Sequence, residues 1–337
     1  MVLVDRNLLF LYCENSRIKI KELASQLRKS SQRIKYSLDV LEKECMVNNA
    51  HCIFDYSYFG ILLFRVYFKG GYIGEEDKVA IIKQLKENKY IMSMYELSGE
   101  FDFVVEVGAP NASRFNKELK KIAAVIPTLN HYKIILNVVT HVYPRSYLLL
   151  EDSPLLIQQE KIVGGDREVQ YFTEDEIKLM KELLYAPKMR LTKLAANTEL
   201  NIKTVNSLFK SLQKRRIIKG FKYLLDARQL GIEKVRLFLK LHNFTPEREA
   251  ALTSYLLKTR EIVQMNKTVG DWDMEIDIEA SSRERVRELI IQVRNDFKDL
   301  IEDFNMVEFY QYFKKSFLPG YLFEKEEEAA VKRKYSF

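Results

Sequence analysis

The sequence repeats itself. Displaced by 171 positions, it aligns with itself without a gap over more than a hundred residues. Leu23-Ala24 falls on Leu194-Ala195, Leu41 on Leu212, Lys43 on Lys214 and Asp55 on Asp226. Gly60 meets Gly231, Arg65 meets Arg236, Ile91 meets Ile262 and Met94 meets Met265. Gly99 and Asp102 fall on Gly270 and Asp273, and Arg114 on Arg285. Apolar coincidences arise by chance, but glycines and aspartates held in one register across nearly fifty residues point to a tandem duplication. The copies run over 1–147 and 172–320. Between them, Glu151-Asp152-Ser153-Pro154 and Gly164-Gly165-Asp166 carry turn chemistry and mark a connection.

Composition then removes whole classes. With 337 residues, 47% hydrophobic and 30% charged, a folded, soluble chain of several small domains is expected. The longest apolar runs, such as Ile61-Leu62-Leu63-Phe64, are far too short to cross a bilayer, and Met1-Val2-Leu3-Val4-Asp5 lacks the design of a secretion signal. A cytoplasmic protein is expected. Cys13, Cys45 and Cys52 form no C-x-x-C pair and are odd in number, which argues against a disulfide framework. His51, His131, His141 and His242 are scattered, so no metal site and no cofactor are called for. Cys45, His51 and Cys52 read as small buried or edge residues at a helix-to-strand passage.

The first third of each copy has the pattern of three short helices and a strand. Thr173-Glu174-Asp175-Glu176 is a capping box, followed by Ile177, Met180, Leu183 and Leu184 at helical spacing. Pro187 stops that helix. Arg190-Leu191-Thr192 opens the next, and Asn201 caps a third that buries Val205, Leu208, Phe209 and Leu212. The first copy repeats the plan from Asp5, with Ser30 as the third cap ahead of Ile34, Leu38 and Leu41. Ile217–Phe221 reads as the first strand of a wing, with Met46-Val47 in its place in the first copy. Such a trihelical unit suits a helix-turn-helix whose third helix enters the major groove.

Charge follows the same division. Residues 1–50 hold nine basic and six acidic side chains, and 172–226 hold twelve and six. The remainders are nearly balanced: twelve and nine over 58–147, fifteen and sixteen over 227–318. The basic excess per residue therefore sits in the helical thirds, where a phosphate-binding head needs it.

The rest of each copy reads strand-helix-strand-strand-helix-strand. The expected elements are Tyr58–Lys69, Glu75–Asn88, Ile91–Leu97, Phe101–Val107, a helix capped by Asn111, and His131–Tyr143. The second copy offers Lys234–His242, a helix from Thr245-Pro246, Ile262–Val269, Trp272–Ile278, a helix opened by a capping box at Ser281-Ser282-Arg283-Glu284, and Phe304–Phe313. In this ferredoxin-like order the helices cover one sheet face only. The other face would expose a large apolar patch unless a partner buries it, and a second copy lies in the same chain.

A winged helix-turn-helix followed by βαββαβ, with Gly99-Glu100-Phe101-Asp102 and Gly270-Asp271-Trp272-Asp273 at the β2–β3 turns of that module, resembles the Lrp/AsnC transcriptional regulators. Asp5, Arg17, Glu22-Leu23-Ala24, Ser30, Ile34 and Leu41-Glu42 stand where that family's head motif has its signature residues. The glycine expected ahead of the wing is Cys45 in one copy and Arg216 in the other. The resemblance implies an α+β fold class: two tandem copies of a winged helix-turn-helix followed by a ferredoxin-like βαββαβ sandwich. It also implies double-stranded DNA as a partner, pairing through the sheets, and in some members an amino-acid effector. The divisions expected are heads at 1–57 and 172–226, sensor or dimerisation modules at 58–147 and 227–320, a linker at 148–171 and a charged tail at 321–337.

Candidate DNA-contacting residues in the first copy are the cap Ser30 with Gln32, Arg33, Lys35 and Tyr36, which lie off the apolar stripe. Lys203, Thr204, Asn206, Ser207 and Lys210 are their counterparts in the second, a stretch poorer in base-reading charge. Gly99, Asp102, Gly270, Trp272 and Asp273 are the candidate effector residues, although turn aspartates more often serve the backbone. No paired carboxylates, nucleophile elbow or phosphate loop appears, so no catalytic residue is named and no enzyme is expected. The alternatives are a tetrapyrrole enzyme like the siroheme decarboxylases, which share this fold, and a co-regulator acting through sheet pairing without DNA.

Overall fold

Helix caps set out the first head. The computed structural model describes residues 5–69, 74–126, 131–150, 153–155, 160–243 and 245–324. Helix α1 (Arg6–Glu14) starts where the Asp5 carboxylate accepts from the amides of Asn7 and Leu8. Then come α2 (Ile20–Leu27) and α3 (Ser31–Lys43), the latter capped by Ser30 as expected. Strand β1 (Val47–Phe54) follows. The βαββαβ unit comprises β2 (Leu62–Phe68), α4 (Glu75–Glu87), β3 (Ile91–Ser98), β4 (Phe103–Ala109), α5 (Ala112–Val125) and β5 (Tyr132–Val142).

The connection contributes a strand the sequence reading lacks, β6 (Lys161–Gly164), which pairs with β5. The second head is α6 (Glu174–Tyr185), α7 (Leu191–Thr198), α8 (Ile202–Lys214) and β7 (Ile218–Leu225). Both halves of the Thr173/Glu176 capping box are formed. Its βαββαβ unit is β8 (Glu233–Leu241), α9 (Pro246–Lys258), β9 (Ile262–Val269), β10 (Met274–Ala280), α10 (Arg283–Asp296) and β11 (Ile301–Lys314).

Two local expectations are corrected. The strand expected from Tyr58 starts only at Leu62, because Asp55 caps a 3-10 turn over Tyr56–Phe59 and Gly60 closes it at φ 66°. Ser282, not Ser281, caps α10, its hydroxyl accepting from the Arg285 amide. A further 3-10 turn at Gly320–Phe323 buries Phe323.

The two units close on each other. The hydrogen-bonded order is β2-β4-β3-β11-β8-β10-β9-β5-β6, and β2 also pairs with β5, so the sheet returns on itself. Strand β5 lies against β2 through Tyr132–Asn137 and against β9 of the other unit through Leu136–Val142. Strand β11 starts beside β8 and ends beside β3. Each unit's last strand thus crosses into the other unit. Alternation along β2 sends Phe64, Val66 and Phe68 outward to a core with Leu85, Phe115 and Ile122, and sends Arg65 and Tyr67 inward.

The inward face is not the plain apolar patch expected of it. An aromatic cluster of Tyr67, Phe101, Phe238 and Trp272 occupies part of it. Beside this cluster, Arg65 bonds Glu106 at 2.9 Å, Glu275 at 2.7 Å and Asn137 at 2.8 Å. Arg236, its equivalent in the repeat, makes two bonds to Asp277 at 2.6 and 2.8 Å and reaches the Tyr67 and Tyr95 hydroxyls. The two arginines are buried to 1–2% exposure, so their charges are tolerable only because acids and hydroxyls answer them.

Candidate nucleic-acid interface

The heads are built jointly. β1 and β7 pair antiparallel, from Val47 opposite Leu225 to Ile53 opposite Gly220, as a ribbon shared by both copies. Tyr223 and Leu225 of β7 enter the core of the first head with Leu8, Leu9 and Tyr12. Cys52, Ile53 and Phe54 of β1 enter the core of the second with Leu179, Met180 and Leu183. Neither head is complete without a strand from the other copy.

Two basic side chains lock the pair further, and the sequence reading missed the role of both. Arg17, between α1 and α2, crosses to the second head. Its guanidinium donates to the carbonyls of Pro187 and Met189, the latter at 2.9 Å, and lies 5.2 Å from the rings of both Phe209 and Phe221. Lys188, at the same position of the repeat, crosses the other way. Its ammonium meets Glu42 at 2.8 Å and lies over the rings of Tyr12 and Tyr223. Burial alone would raise the Glu42 carboxyl, but hydrogen bonds from Lys188 and Tyr12 bring it below its ordinary value. A basic residue at one repeat position in both copies was the available signal.

On this joint scaffold α3 and α8 turn their buried stripes, Ile34, Leu38 and Leu41 against Val205 and Leu212, into the two cores. Ser30, Gln32, Arg33, Lys35 and Tyr36 are exposed, Tyr36 to 71%. Lys203, Ser207 and Lys210 are exposed on α8, whereas Thr204 and Asn206 are half-buried. The Asn201 cap accepts from the amides of Lys203 and Thr204. Among the described residues the charged ends of Arg33, Lys35, Lys203 and Lys210 meet no carboxylate, which leaves them available to phosphates or base edges.

The effector candidates come together, but in packed surroundings. Gly99 and Gly270 hold φ of +126° and +149°, and a Cβ on Gly270 would sit 3.1 Å from the Ile134 carbonyl oxygen. Asp273 accepts from the Leu241 amide at 2.9 Å and from Lys240, a turn-holding role. Trp272 is buried against Phe238, its indole Nε1 without a hydrogen-bond partner. Lys133 of β5 ties the two turns, 3.1 Å from Glu100 and 3.5 Å from Asp271. Asp102 is half-buried at the equivalent turn. None of these residues lines the large cleft beside the first head.

Among the described residues no three His, Cys, Asp or Glu side chains gather as a metal site, and no helix is long and apolar enough to cross a membrane. Cys13 and Cys52 are buried and Cys45 is exposed, all as free thiols.

Paired trihelical heads with exposed, unpaired cations on their third helices, mounted on ferredoxin-like units, define a helix-turn-helix protein. No protein-family model matches the chain. Among curated proteins, the HTH-type transcriptional regulator FL11 of Pyrococcus horikoshii is 30% identical over 129 residues, which span 38% of this chain and 79% of that regulator. The chain belongs to the Lrp/AsnC family of transcriptional regulators. Two solved structures of the siroheme decarboxylase NirDL share its fold over 97% of this chain and 99% and 98% of theirs, with a TM-score of 0.58 and 11% identity. One of them is in co-complex with an iron-uroporphyrin III analogue. This match corrects the expectation that the chain is no enzyme. The architecture it adopts over nearly its whole length is one that an enzyme also uses, so the fold is compatible with catalysis.

Proposed function

We propose that the protein is a sequence-specific DNA-binding transcriptional regulator whose two copies act as a pseudo-dimer within one chain. In this reading residues 1–57 and 172–226 are unlike reading heads, 58–147 and 227–320 pair them, and an operator with two different half-sites is read in the cytoplasm. The carrying observation is the shared β1–β7 ribbon between two heads that each expose unpaired cations on the third helix. Gln32 and Arg33 suit adenine and guanine edges, and Lys35, Lys203 and Lys210 suit phosphates.

The test is selection from random duplex DNA at low and moderate salt, repeated with Arg33→Ala/Lys35→Ala and with Lys203→Ala/Lys210→Ala. The expected result is one motif with two unlike half-sites about one helical turn apart. The salt slope of log K should fall by about 0.9 for each phosphate that a variant no longer neutralises. Binding unchanged in both double variants would overturn the reading. Heads that bind no DNA would instead favour a co-regulator that works through sheet pairing.

A second reading, a tetrapyrrole enzyme, is favoured by the whole-chain likeness to NirDL. Titration with iron-uroporphyrin III separates the two: a saturable shift of the Soret band supports the enzyme reading, and an unaltered spectrum removes it.

A further inference from the structure

An open cleft of about 960 Å³ lies between the first head and the helices of the second βαββαβ unit. Head residues Arg6, Leu9 and Met46 form one wall, and Tyr255, Arg260 and Arg285 help form the other. Its size is that of a site for a small organic molecule.

The repeat supplies an internal control. Displacing the lining residues by 171 positions leads to the matching cleft between the second head and the first unit, and that cleft is filled. There Tyr321 stacks on Tyr90 at 4.2 Å, Arg114 covers the same Tyr90 ring at 4.4 Å, and Phe172 stacks on Phe59 at 4.4 Å. Leu318 and Phe323 belong to the buried core beside them. Glu261 stands where Tyr90 stands in the filled cleft, and Leu230 where Phe59 stands. The same framework is packed solid on one side and open on the other, so the opening does not follow from the framework itself.

The chemistry of the open side favours an anion. Arg285 is answered by Glu261 at 2.7 Å and by Glu288 at 3.2 Å. Arg6, Lys258 and Arg260 meet no carboxylate among the described residues, and Glu44 is the remaining acid of the lining. Arg260 is held by neutral acceptors, donating from Nη2 to the carbonyls of Ser146, at 2.6 Å, and Leu149. Its Nε is buried without a partner. A buried donor on an uncompensated guanidinium is costly until an acceptor arrives, and a carboxylate or sulfonate is its best match. Leu9, Leu148, Ile232, Leu289 and the tyrosines Tyr147 and Tyr255 supply an apolar, aromatic body to the site.

We propose that this cleft binds an amphipathic organic anion, an aromatic or aliphatic body carrying at least one carboxylate-like group, with Arg260 at its anionic end. The bound molecule touches the first head and the second sensor unit at once, so it acts on how that head is held. Calling it an effector rests on the regulator reading. Its binding does not, and is measured without DNA.

The probes are 8-anilinonaphthalene-1-sulfonate and its uncharged relative N-phenyl-1-naphthylamine, followed by fluorescence on the full chain. The sulfonate is expected to bind saturably and at least tenfold more tightly than the neutral dye. Arg260→Met should weaken the sulfonate at least tenfold and leave the neutral dye unchanged. Because Arg260 also ties down Ser146 and Leu149, a second variant places bulk in the cleft and leaves those hydrogen bonds in place. Gln292→Trp should abolish binding of both dyes, whereas Lys121→Trp, its counterpart at the filled cleft, should not. Equal affinity for the two dyes, or sulfonate binding that survives Gln292→Trp, would overturn the proposal. Failure of DNA selection with dye binding intact would remove only the regulator reading.

Discussion

His51 and Lys222 occupy the same position of the repeat and lie directly opposite one another in the β1–β7 ribbon. Both are buried, yet they are satisfied in opposite ways. Lys222 keeps its charge against Glu14 at 2.8 Å and donates to the Tyr143 carbonyl at 3.1 Å. His51 has the Asn49 carbonyl within hydrogen-bond reach of Nδ1 and stacks on Phe317, and forms no ion pair among the described residues. One position of the repeat thus carries a charged residue in one copy and a neutral ring in the other.

A pH dependence follows from this pair. Burial pushes the His51 imidazole down to about 3 against an upward pull from the Asn49 carbonyl, and the charges of Lys315, Lys222 and Arg145 add smaller downward contributions. Its unfolded value is near 6.5. Between these two values the unfolded chain binds a proton that the folded chain refuses, so stability falls as pH falls through that window. The slope from this one group approaches about 1.4 kcal/mol per pH unit. His51→Gln should flatten the loss between pH 6.5 and 5, before Glu106 and Glu279, held below their ordinary values by neighbouring cations, begin to protonate. Urea midpoints at pH 7, 6 and 5 decide it; parallel curves for the two proteins would refute this account.

The ionic interior of the closed sheet gives a second prediction. Arg236→Met leaves Asp277 without its cation in a buried site and takes from Glu275 the more distant of its two, Arg65 remaining at 2.7 Å, which should cost about 3–5 kcal/mol. Adding Asp277→Leu removes one orphaned charge and should return a substantial part of the loss, because a buried pair is often worth little more than an apolar replacement. Urea denaturation of the single and double variants measures both. A double variant less stable than Arg236→Met would show that the network is held by more than charge pairing.

Much of this arrangement was legible in the repeat and the helical periodicities. Caps such as Ser30, Asn111 and Thr173 state where a helix starts, and alternation along Phe103–Val107 states which side chains share a face. The pairing of β1 with β7 was not legible, because a strand's sequence carries no mark of which distant edge it joins. Nor was the polar lining. Arg65 and Arg236 register as repeat identities, but only the fold brings Glu275 within reach of both. The recognition-helix candidates could be placed by helical phase alone, whereas the open cleft draws on segments spread from Arg6 to Gln292 and leaves no local pattern.

Cys45 and Arg216 provide a third test. Each follows a recognition helix and holds a left-handed backbone, at φ 54° and 59°. Side chains resist that region, and glycine enters it freely. Because both adopt the same geometry at one repeat position, Cys45→Gly and Arg216→Gly should each stabilise the protein, by up to about 1 kcal/mol after the entropy of the freer unfolded chain is allowed for. Cys45→Val should destabilise it, since a β-branched residue tolerates positive φ least. Thermal midpoints of the three variants check the order; a loss in both glycine variants would mean that the side chains contribute more than their strain costs.

Arg17 and Lys188 allow the joining of the heads to be tested apart from DNA. Arg17 is half-buried and satisfies two carbonyls while covering two rings, so Arg17→Ala should cost about 2–3 kcal/mol. Arg17→Lys should recover only part of this, because an ammonium cannot present the planar fork that reaches both carbonyls while stacked. Lys188 and Glu42 are each about 45% exposed, so Lys188→Ala should cost no more than about 1 kcal/mol. Both residues pack on β7, one against Phe221 and the other against Tyr223, and the double variant should therefore depart from additivity. Urea unfolding of the three single variants and the double variant gives all four values. Full rescue by Arg17→Lys, or a larger loss from Lys188→Ala than from Arg17→Ala, would show that charge alone, and not the shaped contact of Arg17, holds the two heads together.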